Sequence, residues 1–295
     1  MFKLSVITDE VSQDLNDVVS FAKTFNLAGV EIRTLWNLSP HELLGRSKEL
    51  FEILDSNGLR ACAIASPIFK SNLHNSSEYE EHLRMLHDVI ELGKRLDVRL
   101  IRVFAFWRSG SYGENLNEIL TKFRKAADIA EDEGVLLCVE NEPSTYLTNG
   151  RLTADFVNRL GYESVSVLWD PGNDIMDPEG EIPYPEGYRH VRGLVSHVHI
   201  KDGVRSGERG LPEFRAIGEG EVDYQNQLSA LLDDGYDGFL SLETHWRLSS
   251  ELTSVQVTRP GGDVFSKEGF LASKICMENL LKIINKVSGT MLAES

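Results

Sequence analysis

The chain has 295 residues, of which 41% are hydrophobic and 26% are charged, an ordinary globular composition. Its formal net charge of −16 argues against nucleic acid or an anionic membrane as a partner, because phosphate binding requires a surplus of Lys and Arg. No stretch reaches the roughly 18 apolar residues of a membrane span, and three scattered cysteines without metal or disulfide spacing suggest a reducing, cytoplasmic environment.

Eight short, nearly continuous apolar runs are spaced along the chain, each followed by a polar turn. Such runs are typical of strands that are buried on both faces. In chain order the predicted strands are Leu4–Ile7, Gly29–Ile32, Arg60–Ala65, Leu100–Phe104, Val135–Val139, Val165–Leu168, Val195–Ile200 and Gly238–Leu242.

Amphipathic stretches with a period of about 3.6 residues separate these runs and predict helices. The clearest are Asp14–Phe25, Glu78–Leu96, Asn117–Glu133 and Lys267–Lys286. Strict alternation of strand and helix indicates a parallel sheet. Eight units in a chain of this length predict a single (β/α)₈ TIM barrel over residues 1–295. An open doubly wound sheet is the alternative, but no GxGxxG follows the first run.

Two long loops follow predicted strand ends, Asp174–Pro185 after the sixth strand and Thr244–Asp263 after the eighth. Barrel active sites lie at the carboxyl ends of the strands, so both loops are candidate lids. Plain surface insertions are the alternative.

Four strand ends carry side chains that can bind a metal. Glu140, Asp170, His199 and Glu243 end or follow the last four apolar runs, which are neighbours in a barrel. Adjacent strands lie about 4.8 Å apart, so these side chains can converge on one ion. Three oxygen donors and one imidazole suit Mn²⁺ first, with Mg²⁺, Co²⁺ or Zn²⁺ as alternatives.

Other polar and aromatic residues lie close to these ends. Asn173 offers an amide near the metal, and Lys201 and His245 are candidate substrate contacts. Trp107 follows the fourth strand and is expected to wall the metal-free half of the barrel mouth. Glu142 and His245 compete as ligands if the strands end later than expected.

Three further residues have structural interpretations. Glu31 and Arg33 end the second strand, where an interior salt bridge between them is expected. His197 shares strand parity with His199 and would lie one layer deeper, either as a partner behind the metal ligands or, as the favoured interpretation, in the packed core.

At these residues the whole chain resembles the xylose isomerase-like barrel superfamily of sugar epimerases, isomerases and inosose dehydratases. The resemblance lies in VENEPS, WDPGN, HVHIKDG, IGEGEVDY and LET. It implies that Glu140, Asp170, His199 and Glu243 hold one divalent metal and that Glu140 and Glu243 form the acid–base pair. A substrate-contacting arginine of the epimerase branch would fall on Arg205.

The resemblance implies isomerisation or epimerisation of a small carbohydrate-like substrate through an enediolate. Loss of a β-hydroxyl would make the same site an inosose-type dehydratase. The apurinic endonuclease branch is disfavoured, because its extra zinc-binding histidines are replaced here by RTLW, ASPIF, VFAFW and Asn173. A non-catalytic binding barrel and a homo-oligomeric state stay open.

Overall fold

A computed structural model of the chain describes residues 2–207, 210–249 and 251–294. Its main sheet has eight parallel strands, as the sequence predicts, and the eighth lies beside the first. A single parallel bridge between Ile7 and Glu31 joins the first and second strands and completes the barrel. The strands are β1 (Lys3–Val6), β2 (Val30–Ile32), β3 (Ala61–Ala65), β4 (Leu100–Val103), β5 (Leu136–Glu140), β6 (Val165–Trp169), β7 (Val195–Ile200) and β10 (Phe239–Leu242).

Helices separate the strands and surround the barrel. The longer ones are α2 (Leu15–Thr24), α3 (Ser47–Ser56), α4 (Ser76–Leu96), α5 (Tyr112–Glu133), α6 (Gly150–Leu160), α9 (Tyr224–Asp233) and α12 (Gly269–Glu294). Short ones are α1 (Thr8–Val11), α7 (Pro171–Ile175), α8 (Tyr188–Val191), α10 (Ser254–Thr258) and α11 (Gly262–Ser266), with a 3₁₀ helix at Glu42–Arg46 and a π-type turn at Pro183–Gly187.

Local sequence signals set the helix ends. The Asp14 carboxylate accepts a hydrogen bond from Asn16 N at 2.8 Å and caps α2. Gly134 and Gly161 end α5 and α6 with φ of 67° and 71°, a left-handed conformation that glycine adopts without steric cost. These caps stop each helix where the chain must return to the sheet.

The inside of the barrel is more polar than its outside. Ser5 and Ser241 are hydrogen-bonded at 2.8 Å, and Cys138 contacts Ser166 at 3.1 Å. Most of the apolar core instead lies between the strands and the surrounding helices, as with Phe21, which is fully buried. The interior can therefore hold charged groups without cutting into the main apolar core.

A small hairpin after β7 was not predicted. Strands β8 (Asp202–Val204) and β9 (Glu213–Arg215) pair antiparallel over the carboxyl end of the barrel. The Asp202 carboxylate anchors this region by accepting backbone hydrogen bonds, from Gly203 N and Gly218 N at 2.8 Å, Gly220 N at 3.1 Å and Val222 N at 3.2 Å. The IGEGEVDY motif is thereby fixed beside the end of β7.

Within the described ranges, the helices are all too short or too polar to cross a membrane.

Candidate metal centre and active site

The four predicted ligands meet at the carboxyl end of the barrel. Glu140, Asp170, His199 and Glu243 each offer a donor atom within 4.8 Å of the others, and each is at most 2% exposed. Parallel strands bring them together because all strand ends face the same opening. Three carboxylates and an imidazole in one buried volume form a donor set suited to a hard or borderline divalent ion.

The orientation of the His199 ring favours metal binding. Nε2 of His199 lies 3.0 Å from Glu31 Oε1, while Nδ1 is buried and makes no hydrogen bond. Nδ1 faces Glu140 Oε1 at 3.5 Å and Glu243 Oε2 at 3.4 Å. A carboxylate that accepts Nε2–H leaves Nδ1 with a free lone pair, as in metal-bound histidines. Nδ1 is therefore directed at the remaining donors.

Glu31 itself bridges two histidines. Its Oε2 lies 2.8 Å from His197 Nε2, and all three side chains are almost fully buried. The expected Glu31–Arg33 salt bridge is wrong, because the Arg33 guanidinium contacts Asp9 at 2.8 Å and Glu243 at 2.6 Å. His197 lies in the layer below, as predicted, but as a hydrogen-bonded partner of Glu31.

Asp170 combines a structural role with a place in the proposed ligand set. Its Oδ1 caps α7 by accepting from Asn173 N at 3.0 Å, while its buried Oδ2 lies 2.7 Å from Lys201 Nζ. The Asn173 amide donates to Glu140 Oε1 at 3.0 Å and fixes that carboxylate. The buried His199 Nδ1, which makes no hydrogen bond, is the kind of orphaned atom that an ion satisfies.

Three cations, Arg33, Arg102 and Lys201, lie against the same carboxylates, with Arg33 Nη1 2.6 Å from Glu243 Oε1. Lys201 Nζ is 2.7 Å from Asp170 Oδ2 and 2.6 Å from Glu243 Oε2. Arg102 Nη1 is 3.3 Å from Glu140 Oε2. The ligand carboxylates are therefore partly compensated before any metal binds.

This compensation is incomplete among the described residues. The connected ion-pair network of the barrel end has two more carboxylates than cations. The carboxylates are Asp9, Glu10, Glu31, Glu140, Asp170 and Glu243, and the cations are Arg33, Arg102, Lys201 and Arg247. A buried excess of two negative charges is unfavourable, and one divalent ion would cancel it.

In the metal-free state, protons compensate instead. Burial raises the pKa of Asp170 to about 7 in spite of Lys201. Burial would lower the pKa of His199, but Glu31, Glu140 and Glu243 raise it well above its usual value. Burial would also raise the pKa of Glu140, but Arg102 and His199 lower it to about 2. Asp170 and His199 thus take up protons that a metal would displace.

Two other residue groups in the described structure have metal-ligand spacing, and both share members with the first. In the Glu31–His197–His199 group, both Nε2 atoms already contact Glu31. In the Glu10–Glu243–His245 group, Arg33 binds both glutamates, at 2.8 and 2.6 Å. All three groups thus make internal ion pairs, and the predicted tetrad is the one that combines four donor residues with a His199 Nδ1 that makes no hydrogen bond.

A cavity of about 740 Å³ opens above the tetrad. Arg102, Glu140 and Glu243 line its deep end, and the loop after β10 covers much of the rest through Trp246–Pro260. The loop after β6 contributes Met176. The eighth-strand loop thus lies where a lid would lie, whereas the sixth-strand loop is largely peripheral.

The predicted substrate contacts divide into two groups. Asn173, Lys201 and His245 line the cavity. Arg205 and Trp107 are not among its lining residues. Arg205 uses its guanidinium on backbone carbonyls, including that of Glu181 at 2.7 Å, so the structure gives no support to its predicted substrate contact.

Sequence reasoning missed several charged members of the site. Arg102 lies within β4. Glu10 lies in α1, and its Oε1 is 2.7 Å from His245 Nδ1. Lys70 Nζ binds Glu142 at 2.9 Å and Thr258 O at 3.1 Å, which ties the loop after β10 to the barrel. The available signal was a charged residue within or just after an apolar run, at a position expected to be buried.

Comparisons with known proteins agree with this architecture. A family model described as xylose isomerase-like TIM barrel matches residues 19–264. An uncharacterised protein from Methanocaldococcus jannaschii is 25% identical over 164 residues, which cover 52% of this chain and 59% of that protein. The chain thus spans about three fifths of the curated relatives it matches.

Solved structures share the fold over nearly the full chain. An L-ribulose 3-epimerase is 16% identical with a TM-score of 0.72, and the match covers 100% of this chain and 98% of that one. A probable 3-DHS dehydratase from Bacillus anthracis is 17% identical with a TM-score of 0.67, over 92% of this chain and 99% of that one. At these identities the likeness establishes the fold.

Proposed function

Because the chain belongs to the xylose isomerase-like TIM barrel family, we propose that it is a divalent-metal-dependent isomerase or epimerase of a small sugar or hydroxy-keto substrate. One observation carries the proposal. Glu140, Asp170, His199 and Glu243 converge within 4.8 Å beneath a large cavity that Glu140 and Glu243 line, and His199 Nδ1, without a hydrogen bond, faces these two carboxylates. Such a centre suits proton transfer next to a substrate carbonyl.

The residues present fit a divalent ion, with Mn²⁺ as the first choice and Mg²⁺, Co²⁺ or Zn²⁺ as alternatives. Glu140, Asp170, His199 and Glu243 would hold it, and Glu31 would orient the His199 ring through Nε2. When bound, the ion would supply Lewis-acid polarisation of a substrate carbonyl.

The chain's own groups would move the protons. Glu140 and Glu243 come from strands at opposite ends of the β5–β10 arc, so each can face a different side of a planar substrate group. One carboxylate would accept the proton beside the carbonyl, and the other would return a proton to the opposite face or the neighbouring carbon. Asn173 would hold Glu140 in place through its amide.

Lys201 and the covering loop would prepare the substrate. The Lys201 ammonium between Asp170 and Glu243 can donate to a substrate oxygen while limiting repulsion between the two carboxylates. The loop anchored by Lys70 would exclude water from the cavity.

The test combines metal analysis with solvent exchange. Protein purified without chelator is expected to contain about one equivalent of divalent metal. A panel of ketoses, inososes and hydroxy-keto acids in D₂O with Mn²⁺ is expected to reveal deuterium uptake beside a carbonyl. Glu140→Gln and Glu243→Gln are expected to lower turnover by more than about 10²-fold while retaining some metal. Normal turnover in both metal-loaded variants would refute the two-glutamate assignment, and no exchange with any panel member would favour a binding barrel.

Dehydration of an inosose-type substrate is the second candidate. The cavity contains a third group for proton transfer, His245, whose Nδ1 lies 2.7 Å from Glu10 Oε1. A leaving hydroxyl must take up a proton, and His245 could deliver it in place of one of the two glutamates. Release of water with formation of a conjugated product in the same panel would identify this reaction. An apurinic endonuclease-like phosphodiesterase would instead need two or three bound metals.

A further inference from the structure

The two glutamates proposed for proton transfer each divide their carboxylate oxygens between two partners. Glu140 Oε1 and Glu243 Oε2 face His199 Nδ1, at 3.5 and 3.4 Å. Glu140 Oε2 and Glu243 Oε1 instead face the guanidinium of Arg102, at 3.3 and 3.7 Å from Nη1. One guanidinium nitrogen thus contacts, in each glutamate, the oxygen that is not paired with His199.

The Arg102 guanidinium is held from behind by the neighbouring strand. Its Nε donates to Ser66 O at 3.4 Å, and its Nη2 donates to Ala65 O at 3.3 Å and Ser66 O at 3.4 Å, where β3 ends. The Phe104 ring packs against it, with Arg102 Cζ 4.8 Å from the ring centroid. The whole side chain is buried at the deep end of the cavity. These contacts fix the guanidinium plane and leave Nη1 for the glutamates.

The other two cations of the site each contact one glutamate of the pair. Lys201 Nζ is 2.6 Å from Glu243 Oε2, and Arg33 Nη1 is 2.6 Å from Glu243 Oε1. Among the described Lys and Arg side chains, Arg102 is the one that forms an ion pair with both Glu140 and Glu243. A cation that only compensates charge could lie beside either carboxylate, whereas a contact with both fixes the distance between them.

Resting on the proposed function, we infer that Arg102 is a positioning residue for the acid–base pair Glu140 and Glu243. It holds at a fixed separation the two oxygens that are not paired with His199, so that each can exchange a proton with the substrate. Each nitrogen of the guanidinium is already engaged, so Arg102 acts through the glutamates and not on the substrate. Proton transfer depends steeply on geometry, and a displacement of about 1 Å can cost about 10²-fold in rate.

A crystal structure of the Mn²⁺-loaded wild-type protein gives the first test, which needs no substrate. With the metal bound, Arg102 Nη1 is expected to stay within about 4 Å of one oxygen of Glu140 and one oxygen of Glu243, the usual limit of an ion pair. A structure in which metal binding draws either glutamate out of contact with Arg102 would overturn the inference.

Arg102→Lys separates positioning from charge compensation. Lysine keeps the positive charge, but one ammonium group cannot bind the β3 carbonyls and both glutamates in the planar arrangement of a guanidinium. Because the charge is retained, Mn²⁺ affinity is expected to stay within about threefold of wild type. For the compounds of the D₂O panel that the wild type exchanges, kcat of exchange is expected to fall at least about tenfold, while KM changes less than about threefold.

Arg99→Lys is the matched control, because Arg99 directly precedes the same strand and binds Gly134 O at 2.8 Å, outside the site. It is expected to retain wild-type Mn²⁺ affinity and exchange. Exchange by Arg102→Lys at the wild-type rate would show that charge alone suffices and would overturn the inference. A parallel loss of exchange, Mn²⁺ affinity and resistance to urea would assign Arg102 a structural role and would also overturn it. Absence of exchange by the wild type would refute the proposed function and this inference with it, so the two failures are distinguishable.

Discussion

Glu31→Gln tests how His199, a proposed metal ligand, is oriented. Glu31 is fully buried and contacts His199 Nε2 at 3.0 Å and His197 Nε2 at 2.8 Å, so each carboxylate oxygen serves one imidazole. Glutamine has the same shape but only one acceptor oxygen. Its amide group must donate to one of the two rings, whose proton then moves to Nδ1. Where that ring is His199, the nitrogen that faces the carboxylates loses its lone pair.

The expected result is a 10–100-fold loss of metal affinity, in the range usual for partners of metal-bound histidines, or about 1.4–2.8 kcal/mol. Mn²⁺ affinity would be measured by competition with a fluorescent chelator, and folding by circular dichroism. Ser241→Ala is the control, because it removes another buried interior hydrogen bond, to Ser5 at 2.8 Å, and leaves the hydrogen bonds of the four proposed ligands in place. Unchanged affinity in Glu31→Gln, or an equal loss in both variants, would refute this account of the His199 ring.

Three further predictions follow from the same contacts. Burial raises the pKa of Asp170 to about 7 and nearby carboxylates raise that of His199, so protons compete with the metal for both residues and Mn²⁺ affinity should fall about tenfold or more per pH unit below pH 7. Titrations at pH 8, 7 and 6 check this, and constant affinity would contradict it. Lys201→Met removes a cation within 2.7 Å of the Asp170 and Glu243 carboxylates and should tighten metal binding at least about tenfold while lowering turnover. Weaker metal binding would instead mean that Lys201 holds these carboxylates in their binding positions. Asp202→Ala leaves four backbone N–H groups without their acceptor and should lower the free energy of unfolding, measured by urea denaturation, by about 3 kcal/mol or more. A loss below about 1 kcal/mol would show that water replaces the carboxylate as acceptor.

The covering loop connects these predictions to the substrate. Lys70 holds it through Thr258 O and is itself held by Glu142, so the loop depends on a residue that follows β5 beside Glu140, a proposed metal ligand.

Sequence periodicity determined the architecture and placed the four proposed metal ligands at neighbouring strand ends. Eight apolar runs alternating with amphipathic segments require a parallel sheet, and parallel strands place all their carboxyl ends at one opening. Glu140, Asp170, His199 and Glu243 could be predicted together because each follows or ends such a run. This conclusion needs only the order of elements along the chain.

The partners of those ligands were decided by the tertiary structure. Glu31 contacts His197 across 166 positions of sequence, and Arg33 contacts Glu243 across 210. Strand parity shows which residues point inward, but not which inward groups meet, because that depends on barrel register and on the rotamers that best pair buried charges. In this register Arg33 pairs with Asp9 and Glu243, so Glu31 is available to the two histidines. Its contact with His199 Nε2 turns Nδ1 of that ring towards the proposed metal centre.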